Sequence, residues 1–365
     1  DLVSGMLHPD SEVIQIHFGG GTPTFLTPKQ LRRLGNIIDE RFHIIEETEY
    51  GVEIDPRRCT REHITALRQI GCNRASLGIQ DTNQKVQEAI HRVQPFGQTK
   101  DVLRWLREEG INSINFDLIY GLPKQTLSTF RKTMDDVMQL RPDRLAVYSY
   151  AHIPQIMPAQ KLLNPDDMPS TDEKLAMLQL SITHLTENGY RFIGMDHFSA
   201  EDEELSKAMD EDTLQRNFQG YSTHSGADLY AFGMSGISNV GDVYWQNDKE
   251  IESYYQSLDE NRFPVIKKLS LNRDDMIRKD AIMKIMCRSR LSYQELEKQW
   301  NIRFTDYFAE SLEKLRPLEE DGLVEIQKRN IIITKTGRLF LRNIAMCFDA
   351  YLQGREVSLS FSKTI

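Results

Sequence analysis

The stretch "IHFGGGTPTFLTPKQLRRL" (Ile16 to Leu34) joins an apolar β-type run to three consecutive glycines and then to a strongly marked helix start. Thr27 offers an N-cap, Pro28 suits the first helical position, and Gln30 stands three residues on, the spacing of a capping box. A strand that ends in bare backbone and turns at once into a helix is the opening of a β/α unit. Outward from it the pattern repeats. "YGVEID" (Tyr50–Asp55), "ASLGIQ" (Ala75–Gln80), "SINFDLIYGLP" (Ser113–Pro123), "LAVYSYAHIP" (Leu145–Pro154) and "YRFIGMDHF" (Tyr190–Phe198) read as further strands, taken here as near-continuous apolar runs. Helix-period segments separate them, one with Phe130, Met134, Val137 and Met138 on one face. The fold class expected is α/β, a parallel sheet with outer helices, open or curled into a partial barrel.

Around residue 265 the pattern changes to helices near 272–289, 292–300 and 305–316, a hairpin "GLVEIQKRNIIITKTG", and a last helix through Cys347. Two domains are expected, 1–265 and a mainly helical 266–365. The formal net charge of -9 argues against general attraction to nucleic acid or an anionic membrane. From Leu271 onward 17 basic residues stand against 14 acidic, so that part is slightly positive. Its helices and hairpin have the outline of a winged helix, but so slight a basic balance favours a lid or substrate-side domain over a DNA reader. No apolar run reaches membrane-spanning length, and no signal pattern opens the chain, so a cytoplasmic protein is expected. Cys59, Cys72, Cys287 and Cys347 show no paired spacing and are expected as buried thiols rather than disulfides or a metal site.

In parallel β/α folds ligands bind at the carboxyl ends of the strands. Those ends carry Gly19, Gly20 and Gly21; Glu53 and Asp55; Gln80 and Asp81; Asp117 and Tyr120; and Tyr148, Tyr150, Ala151 and His152. Each alone is more often a loop cap, but their recurrence strand after strand points to one polar ligand with hydroxyls and an ammonium group. The glycines are not a nucleotide loop, because neither G-K-[ST] nor G-x-G-x-x-G follows. Asp196 and His197 in "GMDHF" lack a third ligand nearby and suit a structural or substrate-side role better than a metal site.

With its neighbours, "GGGTPT" resembles the glycine motif of the radical S-adenosylmethionine enzymes. "GVEIDPR", "RASLGIQD", "NFDLIYGLPKQT", "PDRLAVYSYAHIP", "RFIGMDHF", "RNFQGYST" and "RNIAMCFDAYL" resemble, from about Val13 to the C-terminus, the bacterial oxygen-independent coproporphyrinogen III oxidase family. The resemblance implies an incomplete (β/α) partial barrel with a helical C-terminal domain. It implies oxidative decarboxylation of coproporphyrinogen III to protoporphyrinogen IX through a 5′-deoxyadenosyl radical, two S-adenosylmethionine molecules, a [4Fe–4S] cluster and an electron-donor protein. Gly20, Glu53 and Ile237 would contact one S-adenosylmethionine; Gly21, Thr22, Gln80, Arg92, Asp117 and Ala151 the other. Arg92 would hold the methionine carboxylate, Gln80 and Asp117 the ribose hydroxyls, and Glu53 the ammonium. Without the resemblance Arg92 reads as a helix-end cation, Asp117 as a buried acid and Ile237 as core; Ile237 and Ala151 would act through backbone or shape. No catalytic residue is singled out. The family's C-x-x-x-C-x-x-C loop is absent from this sequence, so its ligands are expected upstream of residue 1, together with a first β/α unit. Alone, the chain is then expected to be a monomer without activity and with an exposed edge at Val13–Phe18. The competing expectation is a cluster-lacking relative that binds a tetrapyrrole or haem without turnover.

Overall fold

Side chains along a strand point alternately to two faces, and that period of two organises this molecule. The computed structural model describes residues 1–352. Within these residues it divides into two compact units, Glu12–Lys207 and Asp1–Ser11 with 208–352. The first contains β1 (Glu12–Phe18), α1 (Pro28–Asp39), β2 (His43–Ile54), α2 (Arg61–Gln69), β3 (Arg74–Gln80), α3 (Gln84–Ala89), α4 (Phe96–Glu108), β4 (Ser113–Tyr120), α5 (Leu127–Met138), β5 (Arg144–Ser149), α6 (Thr171–Glu187), β6 (Tyr190–Gly194) and β7 (His197–Ala200). They form one seven-stranded sheet of order β1-β2-β3-β4-β5-β7-β6, and β1 to β5 run parallel. Among the described residues β1 pairs only with β2.

The helix start at Thr27 forms as expected. Its hydroxyl accepts the Gln30 N–H at 3.3 Å while Gln30 Oε1 accepts the Thr27 N–H at 2.8 Å. Such a cap contributes about 1 kcal/mol. The same reciprocal device opens α2 at Thr60, α5 at Thr126 and α6 at Ser170.

Strand β5 is buried continuously over residues 144–147, but β3 and β4 are not continuous apolar runs. In β3, Ala75, Leu77 and Ile79 are buried while Arg74, Ser76, Gly78 and Gln80 are only partly so; in β4, Ile114, Phe116, Leu118 and Tyr120 alternate with Ser113, Asn115, Asp117 and Ile119. The apolar set packs with Leu67, Leu106, Phe130 and Val137 of the helices into one core. The other set forms a polar face. At the amino-terminal ends of the strands this face is closed by ion pairs. Arg74 meets Glu49 at 3.3 Å, Arg144 Nε donates to Glu203 at 2.5 Å, and both guanidiniums pair with Glu204.

"YRFIGMDHF", expected as one strand, is instead the hairpin of β6 and β7. Met195 takes φ 51° at its turn, and β7 inserts antiparallel between β5 and β6. A left-handed residue that is not glycine reverses the chain here, which explains why the run reads as continuous.

Helix α7 (Glu204–Asp210) crosses the division. The second unit then holds β8 (Gln215–Asn217), β9 (Gly220–Ser222), β10 (Ile237–Val240), β11 (Val243–Asn247), α8 (Ile251–Asp259), β12 (Val265–Ser270), α9 (Arg273–Arg288), β13 (Arg290–Ser292), α10 (Tyr293–Trp300), α11 (Phe304–Tyr307), α12 (Ala309–Glu320), β14 (Val324–Ile326), β15 (Asn330–Ile333) and α13 (Leu341–Met346). The expected hairpin is β14–β15, and the three-residue β13 adds a third strand beside β15. Tyr293 stacks on Phe304 at 3.9 Å, and Phe308 packs between Phe304 and Phe348. Residues 353–365 of the expected 266–365 domain lie outside the described residues. All four cysteines are free and buried, and no described helix is long and apolar enough to cross a membrane.

Phe116 is fully buried at the centre of β4. Phe116→Ala is expected to lower unfolding free energy by about 3–5 kcal/mol in urea denaturation. Phe25→Ala, at a side chain 77 % exposed, is expected to change it by no more than about 0.5 kcal/mol.

Candidate functional site

The carboxyl ends of β1 to β4 bring the polar residues of one face together, beginning with the triple glycine. The three glycines do different work. A Cβ on Gly19 would lie 2.8 Å from Glu53 Oε1 and 2.8 Å from His17 Nε2, so the first glycine leaves room for that pair. Gly20 has φ 78°, a left-handed conformation that side chains disfavour. Beside Gly20 and Gly21 a Cβ would meet nothing within 4 Å, so their main chain borders open space. Glu53 remains 44 % exposed, with His17 Nε2 3.3 Å away. Thr22 leads into the short turn Pro23–Phe25 and accepts the Phe25 N–H at its carbonyl.

At the end of β3 the backbone is strained. Gln80 takes φ 65°, and the Asp81 N–H donates to the Ile79 carbonyl at 2.9 Å, closing a three-residue turn around it. This hand of turn is rare, and such a residue costs about 1–3 kcal/mol, a penalty that concentrates at functional sites. Arg92 reaches back to the same place. Its Nη2 donates to the Gly78 carbonyl at 3.1 Å and lies 3.6 Å from Asp55 Oδ1, while its buried Nε has no hydrogen-bond partner. A Cβ on Gly78 would fall 2.9 Å from both Arg92 Nη2 and Gln80 Nε2, so glycine lets these two side chains cross the strand.

The charges here act on one another. Burial works to raise Asp55, but its hydrogen bonds from Arg57, at 2.7–3.2 Å, and the Arg92 charge hold it below the usual carboxylate range. Burial pulls Arg92 downward against the pull of Asp55 and Asp117. Asp117 accepts from Ser76 Oγ at 2.6 Å and Asn115 Nδ2 at 2.9 Å. Burial nevertheless pushes its carboxyl up to about 6, with Glu53 adding to the rise and Arg92 opposing it. Glu53, Gln80, Arg92 and Asp117 thus share one polar region, with Gly20, Gly21 and Thr22 on the loop after β1.

Other residues fall elsewhere. The Ala151 carbonyl, past β5, accepts from Gln160 Nε2 at 2.9 Å. Ile237 opens β10 in the second unit. Asp81 and Tyr120, expected among the ligand-facing set, are turned away. Asp81 is fully buried with its oxygens engaged by Asn83, Thr133 and Gln125, and Tyr120 packs in the core against Phe130. Tyr148 stays 37 % exposed, edge-on to His197 at 6.1 Å. Asp196 sits in the hairpin turn, its carbonyl accepting the Val147 N–H. Among the described residues no group of three or more His, Cys, Asp or Glu is placed to hold a metal ion. Sequence reading missed His17 and Arg57. The first shares the period-two face of Gln15 and Gly19; the second follows Asp55 at the spacing of a side-chain-capped turn.

Comparison with known proteins gives the following. A model of the radical SAM superfamily matches residues 6–137, and one of the HemN C-terminal domain matches residues 271–340. Oxygen-independent coproporphyrinogen III oxidase of Escherichia coli (strain K12) is 46 % identical over 353 residues, 97 % of this chain and 77 % of that one. The Synechocystis protein of the same name is 44 % identical over 368 residues, 100 % of this chain and 79 % of that one. The solved structure of coproporphyrinogen III oxidase (HemN) from Escherichia coli, described as a radical SAM enzyme, superposes with TM-score 0.91 and 47 % identity, covering 93 % of this chain and 79 % of that one.

Asp117 gives a measurable signature of the site. Its carboxyl titrates near 6 when folded against 3.8 when unfolded, so between these pH values the folded state binds the extra proton. Stability is therefore expected to fall as pH rises through that window, by roughly 3 kcal/mol at most. Asp117→Asn is expected to flatten this slope in denaturation measured between pH 4 and 7.

Proposed function

Because the chain belongs to the oxygen-independent coproporphyrinogen III oxidase family, we propose that its first unit binds S-adenosylmethionine for the oxidative decarboxylation of coproporphyrinogen III to protoporphyrinogen IX. The observation that carries the placement is the meeting of Arg92, Gln80 and Asp117 around Gly78. The donor set fits the ligand. Arg92 retains a buried, unpartnered Nε for a carboxylate. Asp117 accepts only two hydrogen bonds, leaving capacity for a ribose hydroxyl, and Gln80 offers an amide beside it. The open main chain at Gly20 and Gly21 and the half-exposed Glu53 suit an ammonium group.

On this reading Gly20 and Glu53 belong to one S-adenosylmethionine, and Gly21, Thr22, Gln80, Arg92, Asp117 and Ala151 to a second. When bound, the cofactor supplies the hydrogen-abstracting radical of the superfamily. The chain's own residues hold and orient it. Arg92 fixes the amino-acid end and Gln80 and Asp117 the sugar, while the surroundings of the strained turn hold Gln80 in place. The described residues do not provide a ligand set for a [4Fe–4S] cluster, since the four cysteines are buried and no metal-holding group is present among them. We place the protein in the cytoplasm as a monomer that takes its electron from a donor protein.

Arg92→Ala is expected to weaken S-adenosylmethionine binding at least about tenfold, read by isothermal titration calorimetry, because a charged hydrogen bond is lost. Unchanged affinity would reassign the residue. Expressed from its complete gene and reconstituted anaerobically with iron and sulfide, the protein is expected to form 5′-deoxyadenosine and consume coproporphyrinogen III; haem or porphyrin binding without either would overturn the enzymatic reading.

A further inference from the structure

Behind the strained turn at Gln80 lies a chain of buried polar side chains that a ligand on the polar face cannot reach. Asp81, fully buried, is its hub. Oδ1 accepts from the Asn83 N–H at 2.6 Å and from Thr133 Oγ1 at 3.0 Å, and Oδ2 accepts from Gln125 Nε2 at 2.6 Å. Gln125, 3 % exposed, also donates from Nε2 to the Ile119 carbonyl at 3.0 Å, and its Oε1 accepts the Gly121 and Leu122 N–H groups at 2.6 and 3.2 Å. One carboxylate and one amide therefore tie the end of β3 to the loop after β4.

A second amide extends the chain toward Arg92. Gln87 Nε2 donates to the Asp81 carbonyl at 2.8 Å and the Gln94 carbonyl at 2.9 Å, while its Oε1 accepts the Gln94 N–H at 2.9 Å. Arg92 lies inside that clasp, with its own N–H on the Gln87 carbonyl at 2.8 Å. Gln94 in turn donates to Thr99. The network thus ends at two residues of the candidate site, Gln80 next to Asp81 and Arg92 between Gln87 and Gln94.

We propose that Asp81 is a positioning residue for S-adenosylmethionine: its carboxylate, held by Asn83, Thr133 and Gln125, fixes the end of β3 that carries Gln80 and presents the Asp81 carbonyl to Gln87, whose clasp holds Arg92, all without touching the ligand. The proposal rests on the ligand assignment of the preceding section. Its logic is one of polarity. The Gln125 oxygen faces two backbone N–H groups, so its NH2 must face Asp81. Every neighbour of the Asp81 oxygens is a donor, and only an acceptor with both oxygens free satisfies them. Asparagine at this position sets an NH2 against a donor in either orientation. Changing Gln125 to glutamate as well gives that NH2 an acceptor and keeps one for Gly121 and Leu122, but it takes away the donor to the Ile119 carbonyl, so the polarity is restored only in part.

The test is calorimetric titration of S-adenosylmethionine into the wild type, Asp81→Asn, and the double variant Asp81→Asn with Gln125→Glu, each checked by thermal denaturation. Asp81→Asn is expected to weaken binding about tenfold or more, and the double variant to recover part of that loss, the Ile119 carbonyl remaining without its donor. Thr133→Val, which removes a single donor to the same oxygen, is expected to fold and to lose binding severalfold, so the proposal stays testable should Asp81→Asn fail to fold. Wild-type affinity in a folded Asp81→Asn, whatever its melting temperature, would overturn the proposal and leave the ligand assignment standing, as would a double variant without recovery. Absence of binding by the wild type would overturn the ligand assignment and the proposal with it.

Discussion

A parallel sheet covered by helices on one face must still do something with the other, and here that face is polar. Charges on a half-buried surface have to be paired, hydrated or held by donors, or they shift their protonation. The two ends of the face meet this demand differently. At the amino-terminal ends Arg74 and Arg144 are matched by Glu49, Glu203 and Glu204, with Ser199 and the Leu205 N–H completing Glu203. At the carboxyl ends the matching is incomplete. Arg92 keeps an unpartnered Nε, Glu53 stays half exposed, and Asp117 is pushed up in spite of two donors. Each end keeps one orphan, since Arg74 Nε is unpartnered as well; what sets the carboxyl ends apart is the Asp117 carboxyl, which burial pushes up.

Glycine and strain shape the carboxyl ends. Gly19 and Gly78 are both positions where a Cβ would strike the polar ends of neighbouring side chains, so the missing atoms are what let Glu53, Gln80 and Arg92 converge. Gln80 instead keeps its side chain in a conformation better suited to glycine. A residue that tolerates such a backbone is held there by its surroundings, and the satisfied carboxylate of Asp81 is the nearest candidate for the holding group.

The β/α alternation was legible because strand and helix periods differ, and the Thr27 start was legible because its cap is wholly local. The residues of the polar region could be read as strand ends, yet which of them face a ligand could not. Gln80 and Asp81 are neighbours in sequence and point to opposite destinies, because the turn that separates them depends on Gln125 and Thr133, over forty residues away. The β6–β7 hairpin escaped notice for a related reason, since Met195 carries none of the usual turn chemistry. Strand β13 escaped because three residues cannot show a period.

Charge balance gives the partly matched end its chemical direction. Glu53, Asp55 and Asp117 bring three carboxylates, whereas Arg57 and Arg92 bring two guanidiniums, so these five side chains, His17 left aside, are one positive charge short when all are ionised. The upward shift of Asp117 is the relief the protein finds by itself, through burial first and the neighbouring Glu53 second. A single S-adenosylmethionine, of the two proposed, carries a sulfonium and an ammonium against one carboxylate, a net single positive charge. Placed here it would offset the deficit and favour ionised Asp117 as an acceptor, so that binding draws on an imbalance already present in the fold. An anionic ligand lacking such a cation would deepen the same deficit, so on the proposed reading a ligand with excess positive charge fits this region better than a phosphate.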